Sequence, residues 1–247
     1  MARWPGVGSF PIPPSEFAVG LEPIPPDACP RCAQRRLAGR CVSLGCRRGW
    51  FPLHRTHVVL GYKQGDAQRL VLAAKDAAES SAVTLLARVL AGHLLGEQVV
   101  WAYDWLLPVP FHPCALRGRP VHPLTAIYLA ALPVLRAAVR CDDLEPPFLI
   151  QTRVVPSMRG QSEAERWQAV RGTFAMGGTT RMLRGARVLL LDDVMTTGAT
   201  LSECARILME EAGAAAVSGV VLVRQPWRAH APARSAGCAA ARGRSYG

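Results

Sequence analysis

The chain has 247 residues, half of them hydrophobic, and a formal net charge of +11. This length allows one α/β core with a small appendage. The longest apolar stretch, residues 83–101, is interrupted by Arg88, His93 and Glu97, which excludes a membrane span. The N-terminal segment lacks the continuous apolar run of a signal peptide, so we expect a cytoplasmic location.

The positive charge is concentrated at the two ends of the chain. Residues 1–57 contain 8 arginines and 3 acidic residues, and residues 224–247 contain 5 arginines and no acid. The segment between them is nearly neutral. Basic ends attract nucleic acids electrostatically. Solvated flanks, in a chain with 27 Arg and 2 Lys, are the simpler interpretation.

In chain order the pattern predicts a Pro/Gly-rich leader at 1–28, a cysteine-rich segment at 29–57, an α/β domain at 58–224 and a disordered basic tail at 225–247. Helical periodicity is predicted at 61–80, 82–95, 124–139, the second half of 156–174, and 201–213. Strands are predicted within 105–113, 148–155, 188–193 and 216–223. Strand–helix–strand order at this spacing is typical of a parallel βαβ unit.

The cysteine-rich segment predicts a metal site. Four cysteines form two tight knuckles joined by a short loop: Cys29, Cys32, Cys41 and Cys46. Four thiolates at this spacing are typical of a tetrahedral structural Zn²⁺ site. Disulfides or free thiols are an alternative, and so is replacement of one cysteine by His54 or His57. Six arginines whose charge would offset that of the thiolates surround the cluster: Arg31, Arg35, Arg36, Arg40, Arg47 and Arg48.

Two adjacent aspartates follow the most apolar predicted strand. Residues 188–191 read VLLL with no polar alternation, which indicates a central parallel strand covered on both faces. Ligands of open parallel sheets bind beyond the carboxyl ends of the strands. We therefore expect Asp192 and Asp193 to lie at such an end, where their carboxylates can accept hydrogen bonds from a polyol.

A loop of small residues follows the aspartates and leads into a helix that is expected to begin near Leu201. Free first-turn N–H groups, the helix dipole and threonine hydroxyls at this point favour an anion. The predicted anion-binding residues are Val194, Met195, Thr196, Thr197, Gly198, Ala199 and Thr200. An ordinary helix N-cap at Thr200 is the simpler alternative. Carboxylates followed by a phosphate cradle indicate a ribose 5-phosphate site.

The sequence VLLLDDVMTTGAT resembles the phosphoribosyl-pyrophosphate (PRPP) motif of type I phosphoribosyltransferases. Together with the cysteine knuckles, GYKQGD and PVP, it resembles the ComF family, which is linked to natural competence and DNA uptake. The resemblance implies a type I phosphoribosyltransferase-like parallel sheet flanked by helices, with a small N-terminal four-cysteine zinc ribbon. It also implies that Asp192 and Asp193 hold the ribose hydroxyls, and that Arg117 or Arg119 contacts the pyrophosphate of Mg²⁺·PRPP.

Six positions depart from the pattern of that family. Arg119, Pro120 and Val121 stand where the family has an aromatic residue followed by Asn-Gln. Met158 stands where Gln is common, Gln161 where Leu is common, and Ala169 where Asn is common. Arg159 precedes the motif in a stretch that could close over substrate as a mobile loop.

These observations leave two classes of function open, besides nucleic-acid binding by the basic ends alone. The first is transfer of phosphoribose from PRPP to a nitrogenous base. The second is a non-catalytic PRPP- or nucleotide-responsive protein that contacts single-stranded DNA or DNA-uptake proteins.

Overall fold

The computed structural model describes residues 21–76, 81–116, 120–142, 147–155, 161–178 and 180–226. Several residues singled out from the sequence lie outside these ranges: Arg117, Arg119, Met158 and Arg159. Most of the predicted leader and nearly all of the predicted tail also lie outside them.

The described elements alternate between strands and helices along most of the chain. The strands are β1 (Arg36–Leu37), β2 (Arg40–Cys41), β3 (Thr56–Val58), β4 (Trp105–Pro108), β5 (Arg140–Cys141), β6 (Leu149–Gln151), β7 (Phe174–Met176), β8 (Arg187–Met195) and β9 (Ala216–Arg224). The helices are α1 (Leu44–Arg47), α2 (Gly65–Asp76), α3 (Ser81–Gly96), α4 (Pro123–Leu135), α5 (Glu163–Val170) and α6 (Ala199–Glu210).

Five strands form one parallel sheet in the order β3-β9-β8-β4-β5. In β8, residues 188–191 are completely buried, as expected for a central strand covered on both faces. Helix α2 packs against β9, α4 against β4, and α6 against both β8 and β9. The predicted α/β class, a parallel sheet flanked by helices, is confirmed.

Two small antiparallel pairs lie outside the main sheet. Strands β1 and β2, each two residues long, form a hairpin that leads from the first cysteine knuckle into the second. Strands β6 and β7 pair on either side of α5 in the sequence, and β7 packs against α6. None of the described helices is long and apolar enough to cross a bilayer.

Two predicted boundaries beside the aspartates are wrong. Strand β8 does not end at Asp193 but continues to Met195, because Val194 and Met195 remain in register with β9. Helix α6 begins at Ala199 rather than near Leu201, with Gly198 as its N-cap residue, so Thr200 lies in the first turn. The paired carboxylates are therefore inside a strand, and the connecting loop is only three residues long.

Candidate functional site

The two aspartates sit near the carboxyl end of β8 and are both half-buried. The Asp193 N–H donates to Asp192 Oδ1 at 2.8 Å. Successive residues of a strand point to opposite faces, so the two carboxylates have different surroundings. This difference decides their charges.

Lys75, near the end of α2, provides the counter-charge for Asp193. Its Nζ lies 2.5 Å from Asp193 Oδ2, and 16% of the Asp193 side chain is exposed. Sequence reasoning missed this residue. The sequence offered one hint of its importance: Lys63 and Lys75 are the two lysines of an arginine-rich chain.

The surroundings shift the pKa values of the pair in opposite directions. Burial, followed by the negative charge of Asp193, raises the pKa of Asp192 to about 8. Burial also acts to raise the pKa of Asp193, but the charge and hydrogen bond of Lys75, with smaller contributions from His122 and the Val194 N–H, bring the pKa below its ordinary value. Asp193 is thus the ionised member near neutral pH, and Asp192 carries a proton for much of the time.

Lys63 and His122 complete the charged surroundings of the pair. The pKa of Lys63 is lowered by burial and by Lys75, against the attraction of Asp193. His122 caps α4 by accepting from the Leu124 N–H and stacks on Phe111. The sequence analysis assigned neither residue a role.

The loop between β8 and α6 offers donors to an anion. The side chains of Met195 and Ala199 are buried, so these two residues present only main-chain atoms there. Thr196, Thr197 and Thr200 are half-exposed, and the Ala199 N–H lies 3.4 Å from Thr197 Oγ1. The first-turn N–H groups of a helix have no intrahelical acceptor and carry the positive end of the dipole. The predicted cradle residues therefore lie together.

Gly198 is required by the shape of this loop. Its φ is +81°, a conformation that other residues adopt at a cost. A Cβ at this position would overlap the ring of Phe51 and lie 2.7 Å from Met195 Cε. Phe51 comes from the segment that follows the cysteine knuckles, so that segment closes one side of the loop.

Arg224, the last residue of β9, is completely buried behind the loop. Its Nε donates to the Cys32 carbonyl at 2.6 Å, and its Nη1 donates to the carbonyls of Met195, at 2.8 Å, and Thr196. The sequence analysis counted Arg224 with the solvated basic end of the chain, and that assignment is wrong for this residue.

The four cysteines of the two knuckles form a compact cluster. Their Sγ atoms all lie within 4.8 Å of one another, with Cys29 and Cys46 3.9 Å apart and Cys32 and Cys41 3.4 Å apart. Zn–S bonds of about 2.3 Å in a tetrahedron give S–S edges of roughly 3.8 Å. The Cys29–Cys46 distance matches this edge, and the Cys32–Cys41 distance is somewhat shorter. None of the four is in a disulfide. The donor set fits a structural zinc ion.

The histidine alternative for that metal site is not supported. His57 Nε2 lies 3.1 Å from the Tyr103 hydroxyl, and the two rings meet edge to face. Within the described part of the chain, the cluster around the knuckles consists of the four cysteines alone. All six arginines of the surrounding belt are exposed.

Comparison with known proteins finds one family model that matches part of the chain. A family model described as a phosphoribosyl transferase domain matches residues 150–235, about a third of the sequence. The matched span contains β8, the loop and α6. No curated protein matches the chain.

Two solved structures with low similarity illustrate what else resembles the chain. An HPRT glutamine mutant, from a study of an invariant aspartic acid, is 13% identical, with 66% of this chain and 75% of that chain covered, at a TM-score of 0.32. Trypanosoma cruzi hypoxanthine phosphoribosyl transferase is 14% identical, with 66% and 72% covered, at a TM-score of 0.32. Likenesses at this level carry no weight for fold or function.

Proposed function

We propose that this protein binds PRPP and transfers its phosphoribosyl group to a nitrogenous acceptor. The observation that carries the proposal is the arrangement near the carboxyl end of β8. Two adjacent carboxylates lie two residues before a short loop of small residues that leads into α6. This arrangement falls inside the span that matches the phosphoribosyl transferase domain.

Each part of the site has one task in this proposal. Asp192 and Asp193 accept hydrogen bonds from the ribose hydroxyls. The N–H groups at the start of α6 and the hydroxyls of Thr196, Thr197 and Thr200 donate to the 5-phosphate. Lys75 keeps Asp193 ionised and limits the repulsion between the two carboxylates.

The reaction breaks the bond between C1 of the ribose and the pyrophosphate oxygen, which leaves with the bonding electrons. The acceptor nitrogen forms the new bond to C1 and loses its proton. The protein contributes by holding the two reactants in line and by stabilising charge. Mg²⁺ bound together with PRPP would supply positive charge that neutralises the pyrophosphate as it leaves. By the resemblance to type I phosphoribosyltransferases, Arg117 or Arg119 would contact the pyrophosphate and add positive charge there.

Turnover with labelled PRPP tests the proposal directly. The full-length protein, PRPP and Mg²⁺ are incubated with a panel of purine and pyrimidine bases, and pyrophosphate and labelled nucleotide are measured. We expect both products with one class of base, and loss of both in Asp192→Asn with Asp193→Asn. Asp66→Asn removes a carboxylate that pairs with Arg69 on the surface of α2, and it is the matched control. Equal turnover in the double variant would contradict the assignment.

A second candidate is a non-catalytic PRPP- or nucleotide-responsive protein that contacts single-stranded DNA or competence proteins. The exposed arginine belt around the cysteine cluster favours it, and the ComF resemblance supplies the link to DNA uptake. Thermal stabilisation by PRPP without release of pyrophosphate would support this candidate. DNA binding that weakens steeply with salt and survives the double aspartate substitution would place the DNA contact outside the pocket.

A further inference from the structure

One buried side chain joins the cysteine cluster to the loop that follows β8. The guanidinium of Arg224 donates to the carbonyl of Cys32 in the first knuckle and to the carbonyls of Met195 and Thr196 at the start of the loop. It also donates to the Gln225 carbonyl at 3.1 Å. Every one of these acceptors is a main-chain atom, so the contacts fix backbone positions.

A buried guanidinium makes these contacts interdependent. A charge in the protein interior is strongly destabilising unless its donors are satisfied. If the Cys32 carbonyl moves away, Arg224 loses the acceptor of its Nε and must move to replace it. The same side chain holds the loop carbonyls, so a shift at the first knuckle reaches the loop directly.

The second knuckle makes a separate set of contacts toward the same loop. Glu163 Oε1, at the start of α5, accepts from Ser43 Oγ at 3.0 Å and from the Gly45 N–H at 3.1 Å. Gly45 lies against the ring of Trp167, since a Cβ there would overlap it. The Trp167 ring centroid lies 6.1 Å from that of Phe51, the residue that closes against Gly198.

We propose that metal binding by the four cysteines sets the conformation of the loop at residues 196–198, with Arg224 as the positioning residue that transmits it. Metal occupancy and the affinity of the loop for its anion are then thermodynamically linked. The identity of the anion as PRPP rests on the function proposed above, whereas the link between the cluster and the loop does not.

Linkage of this kind is reciprocal. If zinc tightens PRPP binding by a given factor, PRPP must tighten zinc binding by the same factor. A factor of about ten lies within the usual range for coupled sites. Replacing a side chain that only stabilises the fold leaves this factor unchanged, whereas replacing the residue that transmits the coupling lowers it, so the factor in a variant separates the two roles.

Hydrogen exchange on the full-length protein tests the link without any ligand. Exchange is compared between zinc-loaded protein and protein treated with a chelator. We expect the amides of 196–201 to exchange about tenfold faster without zinc, while residues 188–191 of β8 keep their protection. Unchanged exchange in the loop would overturn the proposal. Loss of protection in β8 as well would also overturn it, because zinc would then support the whole fold.

Calorimetry then tests the role of Arg224. Wild-type protein is expected to bind PRPP about tenfold more weakly after zinc removal, and to bind zinc about tenfold more tightly with PRPP present. In Arg224→Met we expect both factors to fall to about one. Thr56→Val is the matched control: Thr56 Oγ1 donates to the Arg31 carbonyl of the same knuckle at 2.6 Å without touching the loop, so it should retain both factors.

The outcomes separate this inference from the proposed function. If zinc-loaded wild-type protein does not bind PRPP, the proposed function fails, and hydrogen exchange still decides the link. If wild-type protein binds PRPP equally with and without zinc, the link fails and the proposed function stands. If Arg224→Met does not fold, Arg224→Lys, which keeps the charge but not the planar fork of donors, is measured in the same way. A tenfold factor retained in Arg224→Lys would overturn the role of Arg224.

Discussion

The cysteine segment and the β8–loop–α6 segment lie side by side but are stabilised by different forces. In β8, residues 188–191 are completely buried, and the inner face of α6 packs on the same core. Of residues 29–46, only six are buried: Cys29, Cys32, Ala33, Gln34, Ser43 and Gly45. Leu37, the large apolar residue of the β1–β2 hairpin, is 54% exposed.

The difference in burial shows that the two segments depend on different sources of stability. Aliphatic strands gain stability from burial alone. A segment with almost no apolar core of its own needs a cross-link, and a metal held by four thiolates provides one. Substitutions should therefore affect the two segments through different observables, namely metal content for one and unfolding free energy for the other.

The largest effect is expected from the loss of one cysteine ligand. Structural zinc sites contribute roughly 10–16 kcal/mol in apparent binding free energy at neutral pH. We therefore expect Cys32→Ser to lower the zinc content, measured by atomic absorption, from about one ion per chain to near zero. Cys114 is exposed and outside the cluster, so Cys114→Ser should leave the zinc content unchanged. Zinc retained in Cys32→Ser would show that the cysteine segment does not depend on a metal held by all four thiolates.

A core leucine of β8 should affect unfolding but not metal content. Leu190 is completely buried and in register with both neighbouring strands. We expect Leu190→Ala to lower the free energy of unfolding by about 2–5 kcal/mol, because it leaves a cavity. The same substitution at Leu72, which is 42% exposed on α2, should change it by less than about 0.5 kcal/mol. Denaturant titration of zinc-loaded protein measures both.

Much of this architecture could be predicted from local sequence patterns. The unbroken apolar run at 188–191 predicted a central parallel strand, and the cysteine spacing predicted the cluster. In both cases residue type and spacing along the chain contain the needed information.

What could not be predicted depends on contacts between distant parts of the chain. Pairing with β9 carries β8 through two aspartates that would otherwise mark its end. Lys75 reaches Asp193 from α2, and no pattern links the two positions. Arg224 was misassigned because arginine is normally exposed, and only the carbonyls that surround it in the fold explain its burial.

A substitution at Gly198 sharpens the comparison, because this residue lies where the two segments touch. An alanine there must adopt a positive φ and make room beside Phe51. We expect Gly198→Ala to lower the free energy of unfolding by about 1–3 kcal/mol and to weaken PRPP binding. Gly92 lies inside α3 with open space around it, and Gly92→Ala should raise stability by about 0.5–1 kcal/mol. Thermal unfolding with and without PRPP measures both, and effects of the same sign would contradict this interpretation.

The smallest expected effect comes from pH. It tests whether the charge of Asp192 contributes to PRPP binding. The pKa of Asp192 is raised to about 8 by burial and by Asp193, so the carboxyl binds a proton below that pH. A protonated carboxyl is a weaker acceptor for ribose hydroxyls than the carboxylate is. One pH unit below the pKa, about a tenth of the groups are ionised, so PRPP affinity should rise about tenfold, or about 1.4 kcal/mol, between pH 7 and pH 9.

Two comparisons identify Asp192 as the group that titrates. Asp192→Asn cannot ionise, so its weaker PRPP binding should stay flat over the same pH range. A wild-type affinity that stays flat or falls from pH 7 to pH 9, measured by calorimetry in zinc- and magnesium-containing buffer, would remove Asp192 from the ribose contact. A rise that persists in Asp192→Asn would assign the titration to another group.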